Sequence, residues 1–188
     1  MGLEALIAYG TYFGATADTA KEIAKVLGEG GFNVKVVDLK EDDVKEISSY
    51  DVVVIGSGMR MGNWTAEAEG FLKRFQNDFK GKKIALFISS LIPIEERMGK
   101  SGQASRTRKV GLEDKIAKYH VEPVSMSAFG GVVNYNKMGI MMRKAMEMGY
   151  KSQLEKYGFK EVQPGVYDLH DWENIRSWAR ELAQKARN

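Results

Sequence analysis

Thr11, Tyr12, Thr16 and Thr19 fall within one short run, Tyr9-Gly10-Thr11-Tyr12-Phe13-Gly14-Ala15-Thr16-Ala17-Asp18-Thr19-Ala20. An apolar stretch over residues 3–9 leads into it, and a helical pattern follows at once. The chemistry available there is the binding of a terminal phosphate. Backbone N–H groups in the first turn of a helix have no partners inside the helix, and the helix dipole adds positive potential at the same end. The hydroxyls add donors, and Gly14 lets the backbone approach a ligand closely. No lysine or arginine occurs before Lys21, so dipoles rather than formal charge would hold the anion. A strand-to-helix turn with a threonine N-cap is the plain alternative; the full spacing favours the phosphate.

Other chemistries have little support. Cysteine is absent, which removes disulfides, thiolate nucleophiles and iron–sulfur or zinc–thiolate sites together. His120 and His170 are isolated, which argues against a metal site or a catalytic triad and gives His170 a helix-boundary place. The carboxylates show no spacing that singles out an acid–base pair. A net charge of +3 is too small to argue for a nucleic-acid partner. With 188 residues, 44% of them hydrophobic, the chain is sized for one packed domain over 1–188. A strand starting near residue 3 leaves no signal peptide, and no apolar run is long enough to span a bilayer. The expected location is the cytoplasm.

Strand and helix patterns alternate almost from end to end. Residues 3–9 read as a buried strand, and 32–37 alternate like an edge strand. The run 51–55 suits a central parallel strand, 84–89 a second buried strand, and 124–129 the opposite edge. Helical stripes occur at Ala20, Ile23, Ala24 and Leu27, which Gly28, Gly30 and Gly31 should stop, and at Trp64, Ala68, Phe71, Leu72 and Phe75. A helix is expected over 110–119, and Trp172, Ile175, Ala179 and Leu182 stripe a last one. Strands separated by helices make a doubly wound parallel α/β sheet with right-handed crossovers. Ligands then bind beyond the C-terminal strand ends. Two segments exceed this pattern. Residues 91–109, with Arg97, Lys100, Arg106, Arg108 and Lys109, read as a solvated loop; the functional alternative is docking of an acidic partner or of propionates. Residues 130–167 form an insert before the last helix.

The opening run resembles the flavodoxin signature, an apolar-aromatic strand end followed by T-x-x-G-x-T, then alanine and an aliphatic residue. Tyr9, Thr11, Gly14, Thr16, Ala20 and Ile23 supply these elements, with Ala8 in place of a larger residue. The resemblance implies a five-stranded sheet of order 2-1-3-4-5 that binds flavin mononucleotide (FMN). Thr11, Tyr12, Phe13, Gly14, Ala15 and Thr16 would wrap its phosphate. Ser57, Gly58, Met59, Arg60, Met61 and Gly62 would meet the pyrimidine end and one ring face, where backbone groups tune the potential. Trp64 is the local aromatic, but it fits the helix stripe and is expected in the core. Ser89, Ser90, Leu91 and Ile92 follow the fourth strand, where flavodoxins often place a tyrosine over the ring. That departure leaves a ring face open to a substrate.

The segment Gly56-x-x-x-Arg60-x-Gly62, followed by Phe71-Leu72-Lys73-Arg74-Phe75, resembles the menaquinone-dependent protoporphyrinogen dehydrogenases, which share the flavodoxin fold. Gly130-Gly131 with Tyr135, a methionine-rich helix, and Asp171-Trp172-Glu173 extend the likeness; Met61 and Asn63-Trp64 depart from it. Gly130, Gly131 and Tyr135 thereby become candidate cofactor contacts, with Tyr135 equally readable as a core tyrosine. In 136–150, Met138, Met141, Met142 and Ala145 share a face, expected to pack onto the domain; the alternative is an adaptable surface for a flat substrate, a quinone, a membrane interface or a partner. The expected function is an FMN-dependent oxidoreductase acting on protoporphyrinogen or a quinone. The alternative is a one-electron carrier between redox proteins. Many flavodoxins are strongly acidic; the net charge of +3 favours the first.

Overall fold

Val52-Val53-Val54-Ile55 has no polar face to offer solvent, so it must lie where both faces are covered. The computed structural model, which describes residues 2–188, puts it there. Strand β3 (Val52–Gly58) is buried at every position and lies between β1 (Glu4–Gly10) and β4 (Lys83–Ser90). The half-exposed β2 (Asn33–Asp38) and β5 (Pro123–Gly130) take the edges, giving a parallel sheet of order β2-β1-β3-β4-β5. This is the flavodoxin-like architecture expected from the sequence.

Helices α1 (Ala15–Glu29) and α8 (Trp172–Arg187) cover one face through Ile23, Leu27, Ile175, Trp178 and Leu182. Helix α2 (Ala66–Phe75) covers the other, with Phe71, Leu72 and Phe75 in a core shared with Trp64 and Leu112. Gly28 does not stop α1; the helix runs to Glu29 and closes where the Gly30 amide donates to the Val26 carbonyl at 3.0 Å. No helix among the described residues is long and apolar enough to cross a membrane.

Two expectations are corrected. Residues 91–109 are mostly helical, as α3 (Ile92–Arg97) and α4 (Ser101–Arg108). Pro93 in the first turn favours that start, whereas α4 buries only Ala104 and so has no apolar stripe to read. The helix expected over 110–119 is α-helical only as α5 (Asp114–Tyr119), entered through a π-helical turn, Lys109–Glu113. The second correction concerns the insert. It holds a small antiparallel sheet of β6 (Val132–Asn134), β7 (Glu161–Gln163) and β8 (Val166–Asp168), in the order β6-β8-β7. Between β6 and β7 run α6 (Ile140–Met146), a π turn (Glu147–Lys151) and α7 (Ser152–Lys156). A separate core of Ile94, Val133, Tyr135, Leu154, Tyr167 and Leu169 joins the insert to α3. Helix α6 buries none of its residues fully: Met141 is 88% exposed, while Met146 packs in part on this core with Met138 before the helix.

The connection from β3 to α2 is pinned at both ends. Arg60 and Asn63 exchange two backbone hydrogen bonds of 3.0 Å around Met61 (φ 51°) and Gly62 (φ 80°), a tight turn with both central residues left-handed. Glycine adopts this conformation freely and methionine only at a cost. Because the Met61 side chain is 81% exposed, it gains no packing in return. Met61→Asn should therefore stabilise the protein by about 0.5–1 kcal/mol, read as a higher urea midpoint at unchanged slope; an unchanged midpoint would refute the strain.

Across the second core, Glu69 of α2 receives Lys115 at 2.7 Å, Lys118 at 2.9 Å and the Tyr119 hydroxyl at 2.7 Å. Burial pushes the Glu69 carboxyl up, but these hydrogen bonds outweigh it and hold it down to about 2. A depressed carboxyl contributes stability that is fully present above its unfolded pKa and is lost as pH falls through the folded one. Glu69→Gln should lower stability at neutral pH by on the order of 2 kcal/mol, the exposed part of the site being screened. The variant should also lose less than wild type between about pH 4.5 and 2. Parallel acid-unfolding curves for the two proteins would show that the pairing contributes nothing.

Candidate functional site

The C-terminal ends of β1, β3 and β4 open on one cavity of about 360 Å³, a volume usual for small-ligand sites. At one end lies the start of α1. Gly14 adopts φ 101°, a left-handed conformation natural to glycine, and its N–H donates to Thr11 Oγ1 at 2.9 Å. No side chain caps α1. The amides of its first turn, together with the dipole, therefore face whatever enters the cavity. Thr16 is 1% exposed and borders the cavity, and its Oγ1 has no hydrogen-bond partner. Ser89 Oγ is likewise buried and unpartnered. A native protein rarely leaves such hydroxyls unmet, and both are well suited to an anionic ligand. A Cβ at Gly58 would lie 3.3 Å from both Thr16 Oγ1 and the Tyr12 ring, so its absence keeps the cradle open.

Most of the residues singled out by sequence converge here. Thr11, Tyr12, Phe13, Ala15, Thr16, Gly58, Met59, Arg60, Met61, Gly62, Ser89, Ser90, Leu91 and Gly131 all line the cavity. Tyr12 donates to the Trp64 carbonyl at 3.0 Å, and the Arg60 guanidinium sits 5.8 Å from the Tyr12 ring centre. Burial pushes the Tyr12 phenol up, partly opposed by Arg60.

Five do not line it. Gly14 shapes the loop from behind. Ser57 is committed to the scaffold, accepting from the Thr65 amide at 3.0 Å and donating to the Gly58 carbonyl at 3.0 Å. Ile92 is 1% exposed in the core. Gly130 meets the other chain segment too closely for any side chain: a Cβ there would fall 1.8 Å from the Leu169 carbonyl oxygen. Tyr135 is 1% exposed and packs edge-on against Tyr167, so of its two readings the core one holds. Burial, then the charges of Glu147 and Glu155, push its phenol up to about 12. Trp64 is a core residue as expected, 3% exposed, with its indole N–H donating to the Gly111 carbonyl at 2.7 Å in the π turn.

The sequence reading missed the far wall. Val132, Val133, Met138, Met142, Met146 and Tyr150 come from the insert, and Glu95, Gln103 and Thr107 from α3 and α4. Met138 and Met142 were legible as part of an apolar face, but not the direction that face takes. It missed His170 as well. The ring is buried, stacks on Trp172 at 4.3 Å, contacts Asp168 Oδ1 at 2.5 Å through Nδ1, and lies 3.3 Å from the Ala15 carbonyl through Nε2. The helix-boundary position was readable; the contact with the start of α1, 155 residues away, was not.

Known proteins share this fold. A flavodoxin domain family model matches residues 6–158. Protoporphyrinogen IX dehydrogenase (quinone) of Escherichia coli strain K12 is 25% identical over 185 residues, covering 96% of this chain and 95% of that protein. Among solved structures, a short-chain flavodoxin associated with a PDU bacterial microcompartment superposes with a TM-score of 0.57 at 15% identity, covering 98% of this chain and 99% of that one. Rubredoxin oxygen:oxidoreductase of Desulfovibrio gigas also gives 0.57, at 16% identity over 98% of this chain, which spans only 36% of that longer protein. A point mutant of the flavodoxin of Pseudomonas aeruginosa gives 0.56 at 10% identity, covering 99% of this chain and 100% of the other. These last likenesses concern the fold. With its opening loop, its strand order and a family match over most of its length in accord, the chain belongs to the flavodoxin domain family.

Proposed function

We propose that the protein is an FMN-dependent oxidoreductase with an organic substrate of its own, a porphyrinogen or a quinone, and that the whole chain with its insert works as one unit. One observation carries the reading: a single cavity joins the uncapped start of α1 to an apolar wall of methionines. The first end suits the phosphate of a mononucleotide, through the amides of α1 and the free hydroxyls of Thr16 and Ser89. The second suits a flat apolar ligand, because methionine side chains adapt their shape to what they cover. The 25% identity to the Escherichia coli dehydrogenase over nearly full length supports a substrate of this kind. When bound, FMN supplies one- or two-electron transfer; the chain supplies orientation, exclusion of water and local charge.

That local charge separates an enzyme from a carrier. Arg60 is the one basic side chain lining the cavity among the described residues, and Glu95 the one acidic. Burial pushes the Glu95 carboxyl up, partly opposed by Gln103 and Lys100, and so favours its neutral form. A cavity with one fixed cation and a reluctant acid does not oppose negative charge on a reduced cofactor. The strongly acidic surroundings that make a low-potential carrier are missing. In redox titration the two one-electron potentials should lie close together, and anaerobic turnover should be seen with protoporphyrinogen or quinones rather than with reduced ferredoxin alone. Widely separated potentials with a very low second one, and no turnover of either organic class, would identify a carrier instead.

The cradle is tested by Thr16→Val. Removing an unpartnered buried hydroxyl should leave the stability of the apoprotein unchanged or slightly higher, while FMN affinity falls about tenfold or more. Adding Gly14→Leu, which forces a side chain onto left-handed backbone, should abolish FMN retention with the fold kept by circular dichroism. Unchanged FMN binding in the double variant would contradict the site.

A further inference from the structure

The cavity lining contains a carboxyl with one oxygen left without a partner. Glu95 lies on α3, borders the cavity and is 4% exposed. Its Oε1 accepts the Gln103 side-chain amide at 2.8 Å, while its Oε2 is buried with no partner. The same Gln103 nitrogen donates to the Tyr150 hydroxyl at 3.1 Å. Both N–H groups of Gln103 are thereby spent, and its amide plane fixes the Glu95 carboxyl at one oxygen only. An isolated buried carboxyl oxygen is costly. Glu95 shares the cavity lining with Leu91, Met138 and Met146.

We propose that the Glu95 carboxyl is the specificity-determining group of the substrate end, donating its O–H to a carbonyl oxygen of a flat, uncharged dione held against the methionines. This rests on the reading of the cavity as a cofactor-plus-substrate site and names the residue that would choose the substrate. The geometry requires a neutral acid, since a carbonyl oxygen only accepts. Burial favours the protonated form. Burial raises the Glu95 carboxyl and Glu96 adds to the rise, against Gln103 and the Lys100 ammonium. Lys100 is itself drawn onto the face of the Tyr150 ring, 5.0 Å from its centre, and Glu96 is engaged by Arg108 at 2.6 Å. On the insert side the titratable neighbour is Tyr150, whose phenol burial pushes up, so it too stays neutral.

The test is the binding of menadione, a naphthoquinone, to the oxidised FMN-loaded protein without reductant, followed by calorimetry at about pH 5 and about pH 8. Wild type should bind about tenfold more weakly at the higher pH, as the acid ionises and its donor is lost. Glu95→Gln keeps an N–H donor of similar shape; it should bind within about threefold of wild type at low pH and lose the pH dependence. Glu95→Ala should bind about tenfold more weakly at both values, with its thermal unfolding checked against the Gln variant. Binding that tightens as pH rises, or a wild-type pH profile that survives in Glu95→Gln, overturns the assignment. A wild-type protein that keeps FMN but binds menadione equally with and without Glu95 overturns this inference alone. Failure of the wild type to retain FMN overturns the functional reading beneath it.

Discussion

Helix α1 begins without a side-chain cap, and much of the chain is arranged around that deficit. A helix N-terminus needs partners for its first amides. Most sequences provide one with a serine, threonine or aspartate at the N-cap. Here the N-cap is Gly14, and Thr11, which is in position to help, spends its Oγ1 on the Gly14 amide instead. The unmet demand therefore persists at the C-terminal edge of the sheet, where the parallel order brings the ends of β3 and β4 alongside. The unpartnered hydroxyls of Thr16 and Ser89 add to it. His170 holds this arrangement from behind: its ring is fixed by Asp168 and Trp172 and reaches the Ala15 carbonyl. The exit of the insert is thus tied directly to the start of α1.

The insert solves a different problem. A seven-residue helix such as α6 is too short to persist alone, and it buries none of its own residues. It is held by what flanks it. Met138 and Met146 lean on a core whose fully buried members are Ile94, Val133, Tyr135, Leu154, Tyr167 and Leu169. Strands β6 and β8 close that core from the other side. The π turn at Glu147–Lys151 turns the chain from α6 to α7 without a loop. Methionines on such a marginal element make a wall that can be reshaped by a ligand at small cost.

The sheet was legible because burial on two faces leaves an unmistakable record: β1, β3 and β4 are runs of Ile, Leu, Val and Ala, and nothing else in the chain looks like them. The α1 end of the cavity was legible because its features are local, a strand end, a glycine and hydroxyls within a few residues. The far wall was not. Glu95 and Tyr150 are 55 positions apart and meet only through Gln103, on a helix polar almost all round. Tyr135 was ambiguous because a buried tyrosine and a ring-stacking one have the same sequence. Ser57 and Ile92 belong to the loops that the resemblance singles out, but Ser57 Oγ is committed to the scaffold and Ile92 turns into the core at the start of α3. Strands β6, β7 and β8 are three residues each, too short for any period to show.

The placement of Trp64 shows how the two ends are made rigid relative to each other. In the π turn at Lys109–Glu113 the backbone ladder is interrupted, and the Gly111 carbonyl is left to accept the Trp64 indole at 2.7 Å. Gly111 also packs so closely on Ile88 and Met59 that a Cβ would lie 2.7 Å from the first and 3.2 Å from the second. Met59 lines the cavity, Ile88 belongs to β4, and α4, which carries Gln103 and Thr107, runs into the same π turn. The loop after β3 is therefore braced against the helix that bears part of the cavity's far wall. Had Trp64 been the ring platform, its indole could not serve as this brace. The open cavity face and the buried tryptophan are consequences of one choice: the indole that braces the π turn is not available to cover the cavity.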